Sequence, residues 1–263
     1  MAEPNHTPSA EVLLAALRNS RARLVETATP LTSEQVREQS YDTEWSIGQV
    51  LSHIGTGAIF FKLILDAGLA GEPAPSGDVM RPIWDEWNAK SPEDQARDGI
   101  EADGELMAGF EALDAQQRDE WQLDFFGTVR DFPGILQMRL GEHSVHTWDY
   151  VVALDPKAQL LPDAVDLLID TLAPIVSRAG KPLDHQLVLA IETDEPARNF
   201  VLTVDADGAT LEPLDARFEA DQLLALPSEA FVRLVYGRLD PDHTPPGADD
   251  PILETLRTVF VGF

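Results

Sequence analysis

Residues 132–154 carry an apolar pattern of helical period. Polar groups interrupt it where burial is expected: Glu142-His143-Ser144-Val145-His146-Thr147-Trp148-Asp149. At about 100° of rotation per residue, Glu142 and His146 stand about 40° apart on one face, and Asp149 returns to that side. The same face carries Ile135, Met138, Val145, Val152 and Ala153, which read as core. A carboxylate and an imidazole turned into a packed interior are costly unless something binds them, and a metal ion is the commonest answer. The chain must then fold so that another helix brings a further ligand to this one.

Helices of the right kind precede it. One opens near Ser9-Ala10-Glu11 and runs to about Ala28, with Val12, Leu13, Ala16, Leu17 and Leu24 at helical spacing, and Thr29-Pro30 stops it. Thr43-Glu44-Trp45-Ser46 reads as the N-terminus of a second, which carries Ile47, Val50, Leu51, Ile54, Ala58 and Phe61 and ends near Gly68 or Gly71. Residues 71–95, with Pro73, Pro75, Gly77 and Pro82, read as a loop containing Arg81-Pro-Ile-Trp-Asp-Glu-Trp-Asn88. Its two tryptophans suit a lid over a pocket or a plug at one end of a bundle. A third helix is expected over Glu101–Leu113. The fourth follows Phe132-Pro133, where proline suits the first turn, and runs to about Leu154. Four amphipathic helices with one long crossover predict a helix bundle over residues 1–155.

The remainder, residues 156–263, changes character. Leu161–Ala179 reads as one more helix, and Gln186–Thr193 and Phe200–Asp205 as strands, the second followed by the turn Ala206-Asp207-Gly208. Thr210–Pro213 and Ala216–Ala220 are further strand candidates, and helices are expected from Pro227 and from Pro251. This predicts a small α+β domain, an antiparallel sheet with helices on one face, so the fold class is α+β multidomain.

His53 is the candidate third ligand, at the edge of the second helix's apolar stripe. Two imidazoles and one carboxylate suit zinc, with non-haem iron and nickel as other divalent choices. His143 leans to the bundle flank. Asp149, one turn from His146, is placed to orient that imidazole. The dinucleotide fingerprint, the nucleophile elbow and the Walker loop are each missing from the sequence.

Composition narrows the partners. Of 263 residues, 19 are basic and 46 acidic, for a net charge of −27. Nucleic acid needs a basic footprint and is excluded as a partner, and the same field disfavours an anionic membrane surface. An anionic substrate would need local arginines. No run approaches the ~20 consecutive apolar residues of a membrane span, and the opening Met1-Ala-Glu-Pro lacks a signal-peptide pattern. With no cysteine in the chain, a cytoplasmic location is the expectation, and any thiol chemistry must use a borrowed sulfur.

Trp45-Ser-Ile-Gly-Gln-Val-Leu-Ser-His53, Trp87-Asn88 and Glu142-His-Ser-Val-His146-Thr-Trp-Asp149 together resemble the DinB-like metalloprotein superfamily, and within it the mycothiol-dependent maleylpyruvate isomerases. The resemblance covers nearly the whole chain, since those isomerases append an α+β domain similar to sterol carrier proteins. It implies zinc held by His53, Glu142 and His146, with a fourth position for water or thiol. Mycothiol would be the cofactor, with Trp45 and Asp149 beside the cofactor site. It further implies that a C-terminal arginine, Arg238 or Arg233, holds the substrate carboxylates. The implied activity is thiol-dependent isomerisation of a cis-alkene acid such as maleylpyruvate. The alternatives are a mycothiol S-transferase acting on electrophiles and a non-catalytic metal- and ligand-binding protein.

Overall fold

The computed structural model describes residues 8–125, 127–214 and 222–262. Contacts divide the chain into two compact units between Ala158 and Gln159. The N-terminal unit is helical and the C-terminal one is built on a small sheet.

The N-terminal unit contains α1 (Ala10–Ala28), α2 (Ile47–Ala70), α3 (Gly77–Asn88), α4 (Pro92–Ala112), α5 (Ala115–Glu120), a hairpin of β1 (Gln122–Phe125) and β2 (Thr128–Asp131), and α6 (Phe132–Leu154). The long helices α1, α2, α4 and α6 form the bundle. α2 packs on α4 and α6, and α1 packs on the same two, so α4 and α6 face each other across the core. Leu24, Val50, Leu51, Ile54, Tyr150 and Val151 belong to one buried cluster. Side-chain caps open these helices at Ser9, Ser46, Ser91 and Asp131, and at Ser46 the Gln49 side chain completes a capping box. Gly99 brings α4 onto α2 directly, because a Cβ there would sit 2.3 Å from the Leu51 carbonyl oxygen. By length and composition α2 is apolar enough to cross a membrane, and 61% of its most apolar window is buried within the fold.

Two expectations for this unit are corrected. Residues 77–88 are helical despite Pro82. Pro82 is the sixth residue of the helix and removes the N–H that would bond the Asp78 carbonyl, a loss of one rung that the helix tolerates. α4 begins at Pro92, nine residues before the expected start, on a Ser-Pro cap that the polar run 93–98 disguised. The β1–β2 hairpin was not anticipated. It pairs Leu123 with Arg130 and turns through Gly127 at φ +81°.

The C-terminal unit contains α7 (Pro162–Leu168), α8 (Ala173–Ala179), β3 (Leu187–Asp194), β4 (Arg198–Asp205), β5 (Gly208–Pro213), β6 (Gln222–Pro227), α9 (Ser228–Val235) and α10 (Ile252–Val259). The single helix expected over 161–179 is broken by a 3-10 turn at Ile169–Thr171, and Pro174 sits in the first turn of α8. The sheet runs β5-β4-β3-β6. β4 lies antiparallel to β3 and β5, but β6 lies parallel to β3, so the sheet is mixed and not antiparallel throughout. The strand candidate Ala216–Ala220 falls outside the described residues. Leu189, Ile191, Leu202, Val204 and Leu224 are buried in the sheet, and α9 packs on β3 and β6.

Candidate metal centre

The site is assembled by α2, α6 and the segment before α2. Between Ile47 and Phe61, α2 is apolar except for Gln49, Ser52, His53 and Thr56, spaced i, i+3, i+4 and i+7 along one face. Across from it, α6 presents Glu142 and His146 one turn apart. Trp45 is held beside them by its carbonyl, which accepts from the Ser40 N–H (3.0 Å), Ser40 Oγ (2.7 Å) and Gln39 Nε2 (2.6 Å). The neighbouring Tyr41 N–H donates to the Asp149 carbonyl at 2.9 Å, tying this segment to α6.

Three ligand atoms converge. His53 Nε2 lies 3.8 Å and His146 Nε2 3.6 Å from Glu142 Oε2. One such atom from each of the three residues lies within 4.8 Å of the others. Ligand bonds of about 2.0–2.2 Å place donors about 3.3–3.6 Å apart around a tetrahedral ion, so only small adjustments are needed to hold one. The imidazole rings meet edge to face at 4.4 Å, with the Trp45 ring 5.0 Å from that of His53. Asp149, fully buried, receives His146 Nδ1 at 2.9 Å. That hydrogen bond fixes the ring so that Nε2 faces Glu142 and His53. Side-chain exposures of 37% for His53, 42% for Glu142 and 16% for His146 show that the donors face an opening and not a sealed core.

Charge at the site follows from these contacts. Burial would lower the His146 pKa, but hydrogen bonds to Asp149 and Glu142 outweigh it and lift it from 6.5 to about 9. His53 is shifted the other way, chiefly by burial, which its Glu142 contact only partly offsets. Burial likewise pushes the Glu142 carboxyl upward, yet the two imidazoles hold it well below the usual range. The carboxylate is ionised, as a divalent cation requires, and His146 gives up its proton when it binds one.

A cavity of about 400 Å³ adjoins His53 and is lined by Trp45, Gln49, Ser52, His53, Thr56, Trp84 and Asn88. That is the size of a small-molecule site. Gln49, Ser52 and Thr56 are not singled out individually from sequence, whereas Trp84 is one of the two tryptophans read there as lid or plug and Asn88 stands in the Trp87-Asn88 motif. The polar stripe on α2 was the available signal, and the loop reading of residues 77–88 hid the i, i+4 pairing of Trp84 with Asn88.

The other site expectations fall differently. His143 is not on a flank: it is 1% exposed, with Nδ1 2.7 Å from Ser20 Oγ and Nε2 3.4 Å from Asp103 Oδ1, on the side of α6 away from the donors. Arg233 and Arg238 belong to the C-terminal unit, both buried. Arg233 donates to both Glu229 carboxylate oxygens (2.7 and 3.0 Å) and to the carbonyls of Arg238 and His243, and Arg238 donates to the Tyr236 carbonyl.

Residues 3–150, more than half of the chain, match the model of the mycothiol maleylpyruvate isomerase N-terminal domain. The crystal structure of the mycothiol-dependent maleylpyruvate isomerase is similar with a TM-score of 0.66 at 14% identity, over 92% of this chain and 91% of that one. A histidine-to-alanine mutant of that isomerase gives the same TM-score and identity over 88% and 90%. These likenesses are of fold. Among curated protein sequences none matches. The bundle, its three-donor cluster and the match over residues 3–150 lead to one assignment: the chain belongs to the mycothiol maleylpyruvate isomerase N-terminal domain family.

Proposed function

We propose that the protein is a zinc-dependent enzyme that uses a low-molecular-weight thiol, mycothiol, to isomerise a cis-alkene acid such as maleylpyruvate. The observation that carries this reading is the convergence of His53, Glu142 and His146 beside a cavity large enough for a small molecule. Three protein ligands leave a tetrahedral ion one position for an exogenous ligand, the pattern of catalytic zinc, whereas structural zinc is usually closed by four. His143, the remaining imidazole on α6, is engaged by Ser20 and Asp103 and is not available as a fourth ligand. When bound, the cation lowers the pKa of a thiol at that position, and a thiolate that adds to and then leaves a carbonyl-conjugated cis-alkene allows rotation to the trans product.

The chain's own residues account for the rest. Asp149 orients His146, and Trp45 walls the site beside both imidazoles. Gln49, Ser52, Thr56 and Asn88 offer neutral hydrogen-bonding groups, and Trp45 and Trp84 offer indole faces, to the uncharged body of a thiol cofactor.

One observation favours a second reading. Among the described residues no lysine or arginine lines the cavity, and Arg233 and Arg238 are engaged by partners within their own unit. A neutral electrophile suits that lining, and its conjugation would make the protein a mycothiol S-transferase. Zinc-loaded protein incubated with mycothiol and maleylpyruvate separates the two. Fumarylpyruvate formed with the thiol pool intact supports the isomerase. Loss of one thiol per substrate supports the transferase. Tight binding without turnover of this or a panel of neutral electrophiles would leave a binding protein and overturn both.

A further inference from the structure

Beneath the metal ligands lies a second set of charged groups that the proposed chemistry does not use. Arg139, on α6 three residues before Glu142, is 2% exposed. Its Nη2 donates to Asp103 Oδ1 on α4 at 2.8 Å and to the Ile54 carbonyl on α2 at 3.2 Å. The guanidinium lies against the turn of α2 that follows His53: a Cβ on Gly57 would sit 3.1 Å from Nη1, and the Phe61 ring lies 5.7 Å from the guanidinium carbon. Asp103, 4% exposed, also faces His143 Nε2 at 3.4 Å and Arg21 Nε at 3.5 Å.

A buried ion pair is a poor source of stability. Its desolvation penalty commonly matches its attraction, and well-packed apolar side chains do as well. What this pair has instead is placement. Two of the three metal ligands stand on α6 and the third on α2, with only side chains between the helices. Arg139 is planar and forked, so it holds Asp103 and the Ile54 carbonyl in fixed relative directions. Ile54 is the residue next to His53, and Glu142 is less than one turn from Arg139. From the two hydrogen bonds we infer that Arg139 is a positioning residue for the metal centre, a strut that sets the separation and rotation of α2 against α6 and so the distance from His53 to Glu142 and His146. The inference rests on the zinc reading above and adds to it a residue that touches neither metal nor substrate.

The test uses the full-length chain and zinc itself as probe. Arg139→Met alone strands the Asp103 carboxylate in the core and threatens folding, so the informative variant is the double substitution Arg139→Met with Asp103→Asn, which removes both charges. Arg139→Lys keeps the charge and loses the fork. The readouts are zinc affinity by chelator competition and the visible spectrum of the cobalt-substituted protein, taken at a temperature where circular dichroism shows every variant fully folded. A residue that merely stabilises the fold moves neither. The expected result is a tenfold to hundredfold loss of zinc affinity in the double variant with an altered cobalt spectrum, the scale usual for outer-shell partners, and a smaller loss in Arg139→Lys. A folded double variant with wild-type affinity and spectrum overturns the strut. A wild-type protein that takes up no zinc overturns the metal reading, and the strut falls with it.

Discussion

The two sides of α6 (Phe132–Leu154) carry the same kinds of group and put them to opposite uses. On one side His143 is buried among Ser20, Asp103 and Arg139, with Nδ1 bonded to Ser20 Oγ and Nε2 turned to the Asp103 carboxylate, which accepts from Arg139. On the other, His146 and Glu142 meet His53 beside a cavity, and only Asp149 behind His146 closes the arrangement. Only two residues, Ser144 and Val145, lie between the two histidines. Their chemistry differs because of what each face packs against: α1 and α4 supply a hydroxyl and a carboxylate, and α2 supplies another imidazole.

The largest expected effect sharpens this contrast. His53→Ala should abolish stoichiometric zinc while helix content is retained, read by elemental analysis after dialysis and by circular dichroism. Full zinc occupancy in that variant would remove His53 from the site. The mirror experiment on the dry side should do the reverse. His143→Ala should cost about 1–3 kcal/mol of stability in chemical denaturation, by taking one buried partner each from Ser20 and Asp103, and zinc uptake at excess metal should stay at its wild-type stoichiometry. If His143→Ala loses zinc and keeps its stability, the two faces have been assigned the wrong way round.

The smallest effect is the pH dependence of the face that carries His53, Glu142 and His146. In the metal-free protein His146 has its pKa raised from 6.5 to about 9. Its contribution to stability is fully present below the unfolded value and is lost as pH rises through the folded one. Stability of metal-free protein should therefore fall between about pH 6.5 and 9. His53, lowered by burial, titrates below that window. Zinc affinity should rise across the same range by at most about tenfold per unit, because the ion displaces a proton from His146. Thermal melts with chelator and with zinc, in a series of buffers, check both slopes. Parallel slopes would show that His146 gives up no proton to the metal.

Much of the site was legible in the residues. Glu142 and His146 announce themselves because a helix of apolar period cannot bury a carboxylate and an imidazole without a partner, and His53 does so by its place at the edge of an apolar stripe. The Asp149–His146 hydrogen bond follows from i, i+3 spacing. The cavity wall was not legible, because Pro73, Pro75 and Pro82 made residues 71–95 read as loop. Pro82 in fact lies inside α3, and the helix tolerates the one backbone bond its missing N–H removes. His143 was misplaced because two charged faces exist on α6, and helical period alone assigns only one inside. β6 (Gln222–Pro227) is not among the strands expected from sequence, and its parallel pairing is not legible there either, because alternation marks a strand and says nothing of its partner's direction.

From the amino-acid order alone come the groups offered to a metal, their angular positions on each helix, the caps that start α1, α2 and α6, and the change from helical to mixed architecture after the bundle. These are consequences of local periodicity and local hydrogen bonding, which each segment carries with it. Packing alone decided that α2 stands beside α6 at the level of His53, that Arg139 spans from Asp103 to the carbonyl beside His53, and that Trp84 and Asn88 line the cavity. A helix sets the direction of a side chain relative to its own axis. What that side chain meets depends on how four axes settle against one another, and long-range packing holds that information.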